Sequence, residues 1–255
     1  ELGLNAGVAL SDDGKPYSGM GAAFADYDND GLPDIAVSNL ALEKWALYRS
    51  EGEGTFGYVS LTSGLAGVTV RSSGWGIGVY DFDNDGWKDI FGAQSHVLDN
   101  VERINPSLRY LEAPGLYRNV AGRFEKSQLS NLVSVAGRGA AFGDIDNDGT
   151  MDVVVSTLGG APMVLQGKPN QNHWLLLRLI GRASNLAGIG AKVRIGSQHV
   201  YVTTSGSYLS ASDSRVHFGL GPDKRATVEI VWPSGKTQTL RDVSVDQVMT
   251  VREPE

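Results

Sequence analysis

Apolar residues in the first two-thirds of the chain come in short runs. Residues 19–24 are apolar and glycine-rich, residues 26–34 are strongly acidic, and Ile35-Ala36-Val37 follow. The same three steps recur at 74–79, 81–89 and Ile90-Phe91, and again at 137–142, 144–152 and Val153-Val154-Val155. Runs this short, bounded by turn residues, predict buried strands. Two of the repeats continue alike: Leu47-Tyr48-Arg49-Ser50 precedes Gly54-Thr55-Phe56, and Leu116-Tyr117-Arg118-Asn119 precedes Gly122-Arg123-Phe124. Each repeat therefore predicts about four strands around one acidic loop, the content of a propeller blade.

The texture changes after Gly159-Gly160-Ala161-Pro162, and residues 167–172 read as a linker. Strands are predicted at 173–180, 191–195, 199–204, 215–218, 227–231, 237–240 and 247–251, separated by glycine-bearing turns. Short alternating strands of this kind predict a small antiparallel sandwich or barrel. The fold expected is all-β: three propeller-type blades over residues 1–168 and a small β domain over 169–255.

The acidic stretches carry the chemistry. Each reads D-x-D-N-D-G-x-x-D: Asp26, Asp28, Asp30 and Asp34, then Asp81, Asp83, Asp85 and Asp89, then Asp144, Asp146, Asp148 and Asp152. Four aspartates so close together repel one another unless a cation sits among them. Hard oxygen ligands in a short loop suit Ca²⁺, and suit Mg²⁺ less, because Mg²⁺ demands a strict octahedron and keeps its waters. An EF-hand is excluded: position 12 is Val37, Gly92 or Val155, and β-formers rather than a helix follow the glycine.

Composition adds limits. The formal charge is −7 with 29 acidic residues, of which the three loops hold twelve, so the acidity is local to the loops. No basic patch points to nucleic acid. No run approaches the ~20 apolar residues of a membrane span. Cysteine is absent, which excludes disulfides and thiolate metal sites. The chain opens at Glu1 without a methionine, so the lack of a leader peptide says nothing of compartment.

The three loops and their glycine-rich lead-ins resemble FG-GAP (VCBS-type) repeats. That resemblance implies seven-bladed propellers with Ca²⁺ in the blade loops. It assigns as ligands the twelve aspartates above and the backbone carbonyls of position 7, Leu32, Trp87 and Thr150. The C-terminal part resembles an ASPIC/UnbV domain through Asn172-His173-Trp174-Leu175, Gly190-Ala191-Lys192-Val193, His217-Phe218-Gly219-Leu220-Gly221 and Val231-Trp232-Pro233-Ser234-Gly235. The combination resembles the cartilage acidic protein family, which implies a secreted, periplasmic or cell-surface protein. Three blades do not close a seven-bladed ring, so the expectation is a part of a longer chain or a short version, with further blades or self-association.

The functional expectation is a scaffold carrying three Ca²⁺ ions, for protein or glycan interaction or adhesion. A passive structural module and a polysaccharide-acting enzyme are the alternatives. No Ser-His-Asp spacing, phosphate loop or zinc motif appears, and no catalytic residue is assigned. The long stretch 93–115, with His96, reads as a blade excursion. His173, Trp174, His217 and Trp232 read as packing at strand ends, and Arg178, Lys192, Arg194 and Arg215 as a solvated basic face.

Overall fold

The computed structural model describes residues 2–255. A one-turn helix α1 (Gly3–Ala6) precedes the first sheet, β1 (Gly21–Ala25), β2 (Asp34–Ser38), β3 (Ala46–Gly52) and β4 (Thr55–Tyr58). Helix α2 (Leu65–Thr69) leads to the second sheet, β5 (Gly74–Tyr80), β6 (Asp89–Gln94), β7 (Gly115–Val120) and β8 (Arg123–Lys126), with α3 (Val101–Ile104) between β6 and β7. The third is β9 (Gly137–Gly143), β10 (Asp152–Thr157) and β11 (Met163–Leu165). Each is an antiparallel meander in chain order, as in a propeller blade. The third blade has three strands among the described residues, not four. After β11 the chain turns to place the Gly167 N–H on Asp152 and leaves for the next domain.

Apolar layers join the blades face to face. Trp45, fully buried, fills the first joint with Leu47, Ile77, Val79, Ile90 and Tyr117. A Cβ at Gly74 or Gly92 would overlap its indole, so those positions are glycine for close approach. Phe91, Phe142, Met151, Val153 and Val155 fill the second joint. Phe24 holds in the first blade the place of Phe142 in the third, yet it is 57% exposed against 4%, because no blade among the described residues covers that face.

Residues 95–112 form an ordered flap rather than an open loop. Bridges Ser95–Leu111 and Glu112–Val135 tie it down, and Val101 and Leu108 pack on Ala41. His96 is buried within it and its Nδ1 accepts the Leu98 N–H at 3.1 Å.

The C-terminal domain has two sheets. One holds β12 (His173–Ile180) between β15 (Val216–Gly221) and β18 (Gln247–Arg252); the other runs β14 (Gln198–Tyr201), β13 (Lys192–Ile195), β16 (Arg225–Val231) and β17 (Thr237–Ser244). Leu175, Leu177, Val193, Phe218, Val228, Ile230 and Trp232 fill the space between them. The pairing is not wholly antiparallel: β18 runs parallel to β12. A tight turn after β17 returns the chain to the other sheet, where it enters in the direction of β12. The segment from 203 to 214 lies along the inner strands of the blades. Ser207 Oγ accepts the Ile77 N–H, Ser212 Oγ accepts the Phe142 N–H, and Tyr208 meets Trp75 edge-on.

Glu253 locks the end of this domain. Its buried carboxylate accepts the N–H groups of Arg182, Ala183 and Ser184 and the hydroxyls of Ser184 and Ser234. Burial alone would push its carboxyl up, but the hydrogen bonds, that of Ser234 foremost, hold it down to about 2. A carboxyl whose pKa falls on folding adds stability that is complete above its ordinary value, near 4.5, and vanishes as the pH drops toward 2. Wild type is expected to lose denaturation midpoint over that interval, and Glu253→Gln to start lower at pH 7 and lose less. Parallel pH profiles for the two proteins would contradict this role.

Candidate metal centre

Each acidic loop joins the inner strand of a blade to the next: β1 to β2, β5 to β6, β9 to β10. Two residues coil it. The position-4 asparagines Asn29, Asn84 and Asn147 have φ of 60, 58 and 61°, and the position-6 glycines Gly31, Gly86 and Gly149 have φ of 90, 94 and 87°. Glycine reaches this left-handed region without steric cost, and asparagine tolerates it better than most residues.

The aspartates first fold their own loop. At position 1, Asp26 accepts the N–H groups of Asp30 and Gly31, both at 3.1 Å, and Asp81 and Asp144 do the same in their loops. At position 5, Asp30, Asp85 and Asp148 accept the N–H of Leu32, Trp87 and Thr150. At position 9, Asp34, Asp89 and Asp152 accept the N–H of Tyr27, Phe82 and Ile145 with one oxygen. Their other oxygen accepts the N–H of Ser50, Asn119 and Gly167, which ties each loop to the outer part of its blade.

This folding crowds carboxylates out of water. Ligand oxygens of Asp26, Asp28 and Asp34 lie within 4.8 Å of one another, as do those of Asp81, Asp83 and Asp85, and those of Asp144, Asp146 and Asp152. Asp30, Asp89 and Asp148 fall outside these tightest groups. Burial pushes the carboxyls of Asp34 and Asp81 up to about 7 and that of Asp89 up to about 8, and neighbouring aspartates push the same way. Asp26, Asp28 and Asp144 are raised for the same first reason. Among the described residues, Asp83 Oδ1 is buried without a hydrogen-bond donor. Desolvated, mutually repelling hard oxygens with an orphaned acceptor fit a divalent cation. The three clusters can hold metal ions.

Two protein cations make the loops unequal. Lys88, at position 8 of the second loop, is buried and donates from Nζ to the Asp26 carbonyl at 2.9 Å. Burial pulls its pKa down, and the charges of Asp26 and Asp81 oppose that pull. Arg118 forks across the second loop, from Nε to Asp83 at 2.7 Å and from Nη2 to Asp85 at 2.9 Å. A cavity of ≈ 340 Å³ lies between the inner strands and the C-terminal domain, lined by Phe24, Ile77, Lys88, Asp213 and His217 among others. Its polar groups are committed elsewhere: Lys88 to the Asp26 carbonyl, Asp213 to Arg215, His217 to the Gly149 carbonyl.

The family model for FG-GAP-like repeats matches residues 26–92, and that for the ASPIC and UnbV domain matches residues 181–255. This chain joins FG-GAP-like repeats to an ASPIC/UnbV domain. It is distantly homologous to cartilage acidic protein 1. Identity is 27% over 92% of the chain for the Xenopus tropicalis protein, 26% over 98% for the human one and 27% over 99% for the mouse one. The matches cover 37, 38 and 39% of those proteins, so the chain spans under two-fifths of the length of these relatives.

Sequence reasoning passed over the residues that link one FG-GAP-like loop to the next. Asn29 Nδ2 donates to the Gly86 carbonyl at 2.9 Å, and Asn84 Nδ2 to the Gly149 carbonyl at 3.1 Å. Position 4 thus reaches position 6 of the following loop. In the third loop Asn147 meets Arg215 of the ASPIC/UnbV domain instead, at 2.6 Å from Nη1. Asn119 adds a cross-link, donating to the carbonyls of both Tyr27 and Lys88. The constant asparagine in all three copies was the available signal. Of the residues expected at strand ends, Trp232 is core, whereas Trp174 and His217 press on Gly149. Arg215 is not on a solvated face but at this joint.

Asn84→Ala removes a buried hydrogen bond and puts alanine in the left-handed region, a combined loss of about 2–3 kcal/mol. Asn147→Ala, at an exposed position, is expected to cost clearly less. Denaturant titration of both variants checks this ordering; equal losses would speak against the inter-loop link.

Proposed function

We propose that this chain is a calcium-binding, extracytoplasmic propeller-type scaffold for protein or glycan interaction. The carrying observation is the desolvated carboxylate cluster repeated in three loops of one design. Oxygens alone supply the site, and a flexible nine-residue turn suits the 6–8 oxygens of Ca²⁺ at about 2.3–2.6 Å better than the rigid octahedron of Mg²⁺. Asp26, Asp28, Asp30 and Asp34, with their counterparts Asp81, Asp83, Asp85, Asp89 and Asp144, Asp146, Asp148, Asp152, are the proposed side-chain ligands. The carbonyls of Leu32, Trp87 and Thr150 are the proposed backbone ligands.

Bound Ca²⁺ supplies positive charge where the loop has concentrated negative charge. The chain's own residues do the rest: they aim the carboxylates, exclude water and link each loop to its neighbour. Extracellular modules bind Ca²⁺ at ~10⁻⁴–10⁻³ M, which suits filling outside the cytosol. The word cartilage in the relatives' name accords with that setting. The proposed role is to present loop and blade surfaces held in one geometry by the metal.

Three Ca²⁺ per chain are expected by calorimetry or elemental analysis. With affinities near 10⁻⁴ M, 1 mM Ca²⁺ would add roughly 1.4 kcal/mol per site and raise Tm by about 10 °C over EDTA. Asp28→Ala is expected to remove one ion and part of that rise. A melt indifferent to EDTA would sink the calcium reading.

A further inference from the structure

The ASPIC/UnbV domain touches all three metal loops, and at each it meets the glycine of position 6 or its surroundings. At the first loop, Tyr201 donates its hydroxyl to the Gly31 carbonyl at 3.3 Å, and a Cβ at Gly31 would press on the His199 ring. His199 Nδ1 also stands 3.4 Å from Asp26 Oδ2. At the second, the Gly221 N–H donates to the Asn84 carbonyl at 2.8 Å, and Asn172 Nδ2 to the Asp83 carbonyl at 2.8 Å. A Cβ at Gly219 would run into Asp81 and the Asn84 backbone. At the third, His217 Nε2 lies 3.0 Å from the Gly149 carbonyl, and Trp174 covers Gly149 so closely that a Cβ would overlap its indole. Arg215 donates to Asn147 and to the Asp144 carbonyl.

We propose that the ASPIC/UnbV domain is the outer wall of the metal loops, so that metal binding and domain docking are one coupled equilibrium, with Tyr201 and Arg215 as positioning residues. This rests on the calcium reading above. The physical link is the loop backbone. The carboxylates converge on the inside of each turn, while carbonyls of the same turn face outward to the second domain. A cation that cancels the carboxylate repulsion fixes the coil and therefore the aim of those carbonyls. By linkage, a domain that holds the carbonyls must tighten metal binding by the same factor. The inner-strand contacts of Ser207 and Ser212 bring the wall into place, and the loop contacts make it sensitive to the metal.

Calcium titration by calorimetry and small-angle scattering on the full chain test this. Arg215→Ala should weaken one of three ions about tenfold, within the usual range of such coupling. Tyr201→Phe, a change of one hydroxyl that keeps the ring, should weaken another by a smaller factor. Arg225→Ala, at a surface ion pair with Asp242 away from the loops, should change neither. Removing Ca²⁺ with EDTA should enlarge the wild-type radius of gyration. Three ions bound with unaltered affinities in folded Arg215→Ala and Tyr201→Phe, and a radius insensitive to EDTA, overturn the coupling and leave the calcium reading standing. Absence of Ca²⁺ uptake by wild type overturns both.

Discussion

Repulsion between carboxylates withheld from water is the constraint on which the rest of this structure depends. Each loop gathers four aspartates into a turn of nine residues and buries the first and last. Water would screen them; the blades exclude it from the first and last, while Asp30 and Asp146 stay exposed. The chain answers with local donors. Backbone N–H groups of positions 2, 5, 6 and 7 each take a carboxylate oxygen, so the loop's shape is written by its own negative charge. Lys88 carries its amine from the second loop to the backbone of the first, and Arg118 sets a guanidinium across the second. These donors leave Asp83 Oδ1 without a partner, and a divalent cation matches what is left over.

Much of this was legible in the sequence because the relevant distances are short along the chain. Position 1 to position 9 is a local relation, and strands flanking a fixed loop follow from alternating runs of glycine and apolar residues. The repeat gave the blades, and residues 173–180 came out as a strand with the bounds the chain adopts. What stayed hidden depends on packing between elements far apart. Asn29 and its acceptor Gly86 are 57 residues apart, and Asn84 and Gly149 are 65 apart. Neither pair exists until two blades stack. Arg215 looked like one of several surface cations, since nothing near it in sequence shows that Asn147 will face it. The parallel partnership of β18 with β12 was equally invisible, because it is decided by which sheet the last turn delivers the strand to.

The blade joints and the domain joint differ in kind. Blades meet mainly through apolar faces built around Trp45 and Phe142, where burial is nondirectional and fit is a matter of volume, with the directional links of Asn29, Asn84, Asn119 and Lys88 gathered at the loops. The second domain meets the loops mostly through hydrogen bonds to backbone carbonyls, where geometry is directional and a small loop movement is felt. The first kind of joint gives cohesion and the second gives sensitivity to what the loops hold. The uncovered Phe24 face belongs to the first kind.

The asparagine-to-glycine link has a consequence for how such arrays lengthen. Every copy carries both halves of the connector, a donor for the copy after it and an acceptor for the copy before it. A whole repeat inserted into the series would arrive with its own plug and its own socket, and would need no change in its neighbours. The first and third copies also meet the second domain: the Gly31 carbonyl accepts the Tyr201 hydroxyl, and Asn147 offers its Oδ1 to Arg215.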